Sequence, residues 1–318
     1  MQQHLQLERN PAGVKKFLNE PFSWYADLYA GVLALSKDRD PKSPGVFYGA
    51  LNELDGRFML VLAACRVDDP ERGKKIARVA FELDRMFTLL QLQNSYDSNS
   101  FTEAQYRISD GIREKPVAAI RPVFDAEIMK LLSGRRNVDV DKPLQWAYFR
   151  NASVEQLNIR FTRYFFARIE DYLAAGTKVE MRHPFKDIVT RGGAVNGFHI
   201  EHILARNAEN AALFASPDEF EQQRNRLGAV LLLKGRDNQS SGAECYSDKR
   251  KTYANTLLWN ETLRDDFYKS KLDLQDLIAA DQLPLEPLGT FGPNEIEQRQ
   301  RCLFRMVECT WNQPAEKA

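Results

Sequence analysis

Over about the first 175 residues, apolar side chains recur at three- and four-residue spacing and Pro or Gly marks the breaks, a pattern that commits this half of the chain to α-helices. The spacing predicts helices over about 22–36, 48–66, 71–92, 102–113, 122–133 and 153–175. Within 77–92, Val79, Phe81, Leu83, Met86, Phe87 and Leu90 fall on one helical stripe and read as core. Tyr25, Phe47, Tyr48, Tyr164, Phe165 and Phe166 are read as packing residues in preference to base-stacking platforms. Arg160, Arg163 and Arg168 line the edge of an amphipathic helix; they are read as a solvated basic edge, the alternative being a face that contacts phosphate.

A chain of 318 residues has room for two domains of ordinary size, and 43% apolar with 28% charged residues describes a globular protein. Lys and Arg number 44 against 44 acidic residues, so no whole-chain positive excess points to nucleic acid. The local balance differs. From Arg224 to Lys251 the chain carries Arg224, Arg226, Lys234, Arg236, Lys249, Arg250 and Lys251 against Asp237, Glu244 and Asp248. The four cysteines form no Cys-x-x-Cys pair, which removes the usual mark of a structural zinc site or redox dithiol. The first residues lack an apolar signal core, and runs such as 58–65 fall far short of the roughly 20 residues that span a bilayer. Reduced thiols and a cytoplasmic location, with no membrane partner, are the resulting expectations.

Gly176 stops the last helix of the first half, and the texture then changes. Gly192 and Gly193 make a loop, and 195–204 reads as a turn into a short strand. Residues 199–204, His-Ile-Glu-His-Ile-Leu, hold two of the four histidines around one carboxylate. Imidazole and carboxylate are the groups that ligate a metal and move protons near neutral pH, and packing alone needs neither. Ser216-Pro217 begins a helical turn, 227–233 reads as a buried strand bounded by Gly228 and Gly235, and 236–242 is a polar loop. A helix over 247–259 follows, with Ser247 as its N-cap. Asn207 and Asn225 are read as turn residues.

This order of strand, strand, polar loop and helix resembles the HNH, or ββα-metal, nucleases. More narrowly, 199-HIEHIL-204, 228-GAVLLL-233, Asn238 and 246-YSDKRKTY-253 look like the nuclease domain of GmrSD-type modification-dependent restriction systems, and 295–311 is similar to that family's closing helix. The resemblance implies an α+β, predominantly helical fold. A helical connector over 1–150 would precede an HNH-like nuclease domain over 151–318, with its metal core at about 195–260. It implies His202 as general base, Glu201 and Asn238 as ligands of one Mg²⁺ or Mn²⁺ ion, and His199 as a further ligand or as orienter of the water. Lys249 and Arg250, with Lys234 and Arg236, are the candidate contacts to DNA phosphates; a solvated basic face is the alternative for the first two. The substrate would be DNA, modified or not, in an anti-phage restriction role.

The chain departs from the family pattern at two places. Ala229 stands where the family has an asparagine that holds the catalytic histidine by a hydrogen bond, and Ala205 replaces the usual proline. Alanine cannot make that bond, and orientation of a general base is worth orders of magnitude in rate. Either another residue takes over, or the site is impaired by nature, or the alanine is an engineered change. Many relatives carry an N-terminal sensor with NTPase activity. Neither its Gly-Gln-Gln-Arg type motif nor a P-loop pattern occurs here, so no nucleotide cofactor is expected, and the chain is expected to be a fragment or a subunit that works with a separate sensor. Two other classes stay open: a DNA-binding module that has lost turnover, and a helical interaction scaffold.

Overall fold

Pro11, Pro44, Pro217 and Pro293 each open a helix, and residues in left-handed backbone set where several end. The computed structural model describes residues 9–235, 245–269 and 271–312. It divides into two compact units. One comprises the chain up to Leu90 with Ser95–Pro143; the other comprises Gln91–Asn94 with the chain from Leu144 onward.

The first unit is helical: α1 Pro11–Phe17, α2 Ser23–Leu35, α3 Pro44–Leu51, α4 Gly56–Ala64, α5 Arg72–Leu92, α6 Ser98–Ile112 and α7 Ile120–Arg136, with the end of α5 belonging to the second unit. The helix expected over 48–66 is therefore two helices. Glu53 adopts a left-handed φ of 58°, and the Leu54 amide bonds back to the Gly49 carbonyl at 2.8 Å, which closes α3 before α4 starts. Val79, Leu83, Met86 and Leu90 are buried as the periodicity requires, and so are Phe47 and Tyr48. Tyr25 is half-buried and donates its hydroxyl to the Cys65 carbonyl.

The second unit contains α8 Trp146–Phe149, α9 Ile159–Gly176, α10 Phe185–Thr190, β1 Phe198–His202, α11 Ala208–Ala211, α12 Pro217–Arg224, β2 Val230–Lys234, α13 Tyr246–Thr252, α14 Leu258–Glu261, α15 Asp265–Lys269, α16 Leu272–Asp281 and α17 Pro293–Trp311. Strands β1 and β2 pair antiparallel in the register His199 to Leu233 and His202 to Val230. The run 227–233 is thus a strand only from Val230; Leu227–Ala229 form a turn of 3-10 helix. The helix expected over 247–259 is also two, because Asn255 takes a left-handed φ of 57° between α13 and α14. Cys245, not Ser247, is the N-cap of α13. Ser216 caps α12 as expected, its hydroxyl accepting the Glu219 amide at 3.1 Å.

Helix α9 is the spine of this unit, with Tyr164, Phe165 and Phe166 fully buried and Phe165 stacked on Trp311 of α17. Arg168 is not on a solvated edge: it is buried with its guanidinium 4.6 Å over the Trp311 ring. Helix α17 also grips the start of β2. The Gly228 amide donates to Gln300 Oε1 at 2.7 Å, and Arg299 Nε donates to the Gly228 carbonyl at 3.1 Å. A Cβ at Gly228 would lie 2.6 Å from the Gln300 nitrogen and 2.7 Å from the Ile296 oxygen, both backbone atoms. Gly228→Ala is therefore expected to lower unfolding stability by about 2 kcal/mol or more, measured by chemical denaturation.

Buried Glu170 of α9 accepts the amides of Leu258 and Trp259 at 2.9 and 3.2 Å and so caps α14, whose Asn260 in turn donates to the Leu232 carbonyl of β2. Burial pushes the Glu170 carboxyl up to about 7, outweighing those two amides. A carboxyl whose folded pKa lies above its unfolded value stabilises fully below the unfolded value, and that contribution is lost as pH rises through the folded one. Stability from this group is accordingly expected to fall between about pH 4.5 and 7. Glu170→Gln should flatten that part of a stability-against-pH curve, and an unchanged slope would contradict the assignment.

Candidate active site

The hexapeptide forms the end of β1 and the turn after it. Directly paired residues of an antiparallel ladder share a face, so His199 and Glu201 lie on one face of the hairpin with Leu233 and Leu231. His202 lies on the other with Val230, as the last residue of the strand. The Ile203 amide donates to the Ala229 carbonyl at 3.0 Å, holding the strand end against the turn before β2.

Glu201 is 8% exposed, and its Oε1 receives the Lys249 ammonium at 2.5 Å. The same nitrogen donates to the His202 carbonyl at 2.9 Å. Lys249 itself is 1% exposed, so this helix side chain fastens α13 to the end of β1 and its charge faces Glu201, not solvent. Arg250 is also engaged, donating to the Leu288 carbonyl at 2.8 Å and pairing with Asp265 at 3.2 Å. Lys234 is half-buried at the end of β2, opposite Phe198. Arg236 and Asn238 lie outside the described residues.

The half-buried His202 places Nε2 2.8 Å from the side-chain oxygen of Asn225, the residue that follows α12. Burial, and next the Arg224 guanidinium, hold the imidazole below the usual histidine range against the opposing Asn225 bond. A ring in that state is neutral at pH 7 and able to accept a proton. Asn225 is thus more than the turn residue the sequence suggested. The backbone explains its setting: Ser153 bridges Arg226, the Val154 amide donates to the Asn225 carbonyl at 2.9 Å, and the Leu227 amide donates to the Ala152 carbonyl at 3.0 Å. That pairing also brings the exposed Glu155 within 2.7 Å of the Asn225 amide nitrogen. No local signal could have joined positions 155 and 225, which are 70 residues apart.

His199 is half-buried and places Nε2 3.3 Å from the Gly193 carbonyl. A carboxylate and an imidazole on one hairpin face are donors that suit a divalent ion. Among the described residues, however, no group of three or more His, Cys, Asp or Glu side chains is placed to hold a metal, and any ion on Glu201 would share the carboxylate with Lys249.

A short antiparallel hairpin that ends in adjacent carboxylate and imidazole, with a helix docked on it through a lysine and a closing helix behind it, is a candidate hydrolytic centre in a mostly helical domain. The family comparison gives that centre a class. Residues 144–306 match the family described as GmrSD restriction endonucleases, C-terminal domain, and the chain belongs to that family. It carries a nuclease domain of the restriction-endonuclease type. No curated protein and no solved structure matches the chain. Among the described residues no helix is long and apolar enough to cross a membrane.

Proposed function

We propose that the chain is a divalent-metal-dependent DNA endonuclease of HNH type, acting in an anti-phage or modification-dependent restriction system. The observation that carries this reading is the side-chain-anchored His202 immediately after Glu201 at the end of β1. His202 acts as general base: it takes a proton from the attacking water, whose oxygen forms the new bond to phosphorus as the bond to the 3′ oxygen breaks. By the resemblance, Glu201 and Asn238 would hold the ion, and His199 would be a further ligand or would orient the water. When bound, a Mg²⁺ or Mn²⁺ ion supplies counter-charge for the phosphate and for the departing oxygen. Lys234 and Arg236 contact DNA phosphates; Lys249 orients Glu201, and Arg250 braces the segment that holds it. A separate sensor or NTPase partner selects the DNA.

Supercoiled plasmid incubated with the protein and Mg²⁺ or Mn²⁺ is expected to be nicked or linearised, and a chelator should stop the reaction. One observation favours a second reading, a DNA-binding module without turnover: Lys249 already neutralises Glu201. Steeply salt-dependent gel-shift binding with no scission under any divalent ion, and none after Ala229→Asn, would favour that module and exclude the endonuclease.

A further inference from the structure

Which ring nitrogen of His202 can act as a base is set by the side chain that engages the other one. The Asn225 side chain has two N–H donors, and both are spent: Nδ2 donates to Glu155 Oε1 at 2.7 Å and to the Glu221 carbonyl at 2.9 Å. A carboxylate and a backbone carbonyl accept and do not donate, so the amide has one orientation, with Oδ1 turned to His202 Nε2 at 2.8 Å. An amide oxygen can only accept. His202 must then carry its proton on Nε2, which leaves the lone pair on Nδ1.

We infer that Asn225, locked by Glu155, is a positioning residue that fixes the His202 tautomer and makes Nδ1 the nitrogen that takes the proton from water. The inference rests on the nuclease reading. It supplies the hydrogen bond that Ala229 cannot make, from a residue on a different element: the end of α12 in place of the turn before β2. When Nδ1 gains the proton, the positive ring keeps its donor bond to Asn225 Oδ1. The Glu155 carboxylate at the far side of the amide polarises that bond toward the ring. Glu155 is held there by the pairing of 153–154 with 225–226, so the carboxylate, amide and imidazole form a line built from three separated stretches of chain.

The test has two readouts on the full-length protein. With ¹⁵N-labelled histidine, the His202 ring, assigned by comparison with His202→Gln, is expected to show the Nε2–H tautomer in the wild type and a tautomer mixture in Asn225→Ala. A wild-type Nδ1–H tautomer overturns the inference whether or not DNA is cut. In single-turnover plasmid scission, Asn225→Ala and Glu155→Ala are expected to slow the reaction by about 10- to 100-fold with DNA affinity unchanged, and Glu155→Gln, which keeps an acceptor, to retain most of the rate. Glu155 is exposed, so its variants leave the core intact should Asn225→Ala fold poorly. Equal rates in the wild type, Glu155→Ala and Asn225→Ala overturn the inference and leave the nuclease standing. A wild type that fails to cut counts against the nuclease reading instead, and the ring spectrum still decides the orientation.

Discussion

His202→Ala is expected to slow scission of plasmid DNA by about 10²- to 10⁴-fold at saturating protein, the range a positioned general base contributes, while DNA affinity stays within about twofold. The size follows from the state of the ring. A neutral imidazole anchored through one nitrogen presents a single base to the attacking water, and no other titratable ring adjoins Glu201 on β1 except His199, whose nitrogen faces the Gly193 carbonyl at 3.3 Å. The effect belongs in the rate and not in binding, because His202 sits at the strand end and its hydrogen bond is to protein. An equal loss of affinity would mean that the imidazole binds DNA instead of activating water.

The second large effect concerns Lys249. Breaking a buried ion pair by removing one partner costs about 3–5 kcal/mol, since the remaining charge keeps its desolvation penalty. Lys249→Met is expected to lower stability by that amount, measured by urea denaturation, because it leaves the Glu201 carboxylate buried without its ammonium and also removes the donor to the His202 carbonyl. The double variant Lys249→Met with Glu201→Gln should recover much of the loss, since it removes both charges. A single variant of wild-type stability would show that the pair is not formed in solution.

Much of this was legible in the sequence, for physical reasons. The hexapeptide stands out because histidine is rare in this chain, and the two-residue spacing of His199 and Glu201 fixes a common face once a strand is assumed. Apolar periodicity located the helical half, but periodicity cannot see a left-handed residue. Glu53 and Asn255 therefore split two segments that read as single helices. Lys249 read as surface because lysine usually is; only the docking of α13 on β1 reveals that its charge is spent on Glu201. The loss of asparagine at 229 was visible, whereas its replacement depends on the pairing of 152–154 with 225–227, a contact between distant segments without local pattern.

In the proposed reaction water is the nucleophile at a phosphodiester, under the control of His202. Cleavage in ¹⁸O-labelled water with Mg²⁺ or Mn²⁺, followed by mass spectrometry of the cut ends, measures this directly. One ¹⁸O atom in each new 5′-phosphate, formed by the wild type and nearly lost in His202→Ala, is the result expected. Labelled ends produced equally fast by His202→Ala, or intact DNA with every divalent ion tried, would contradict it.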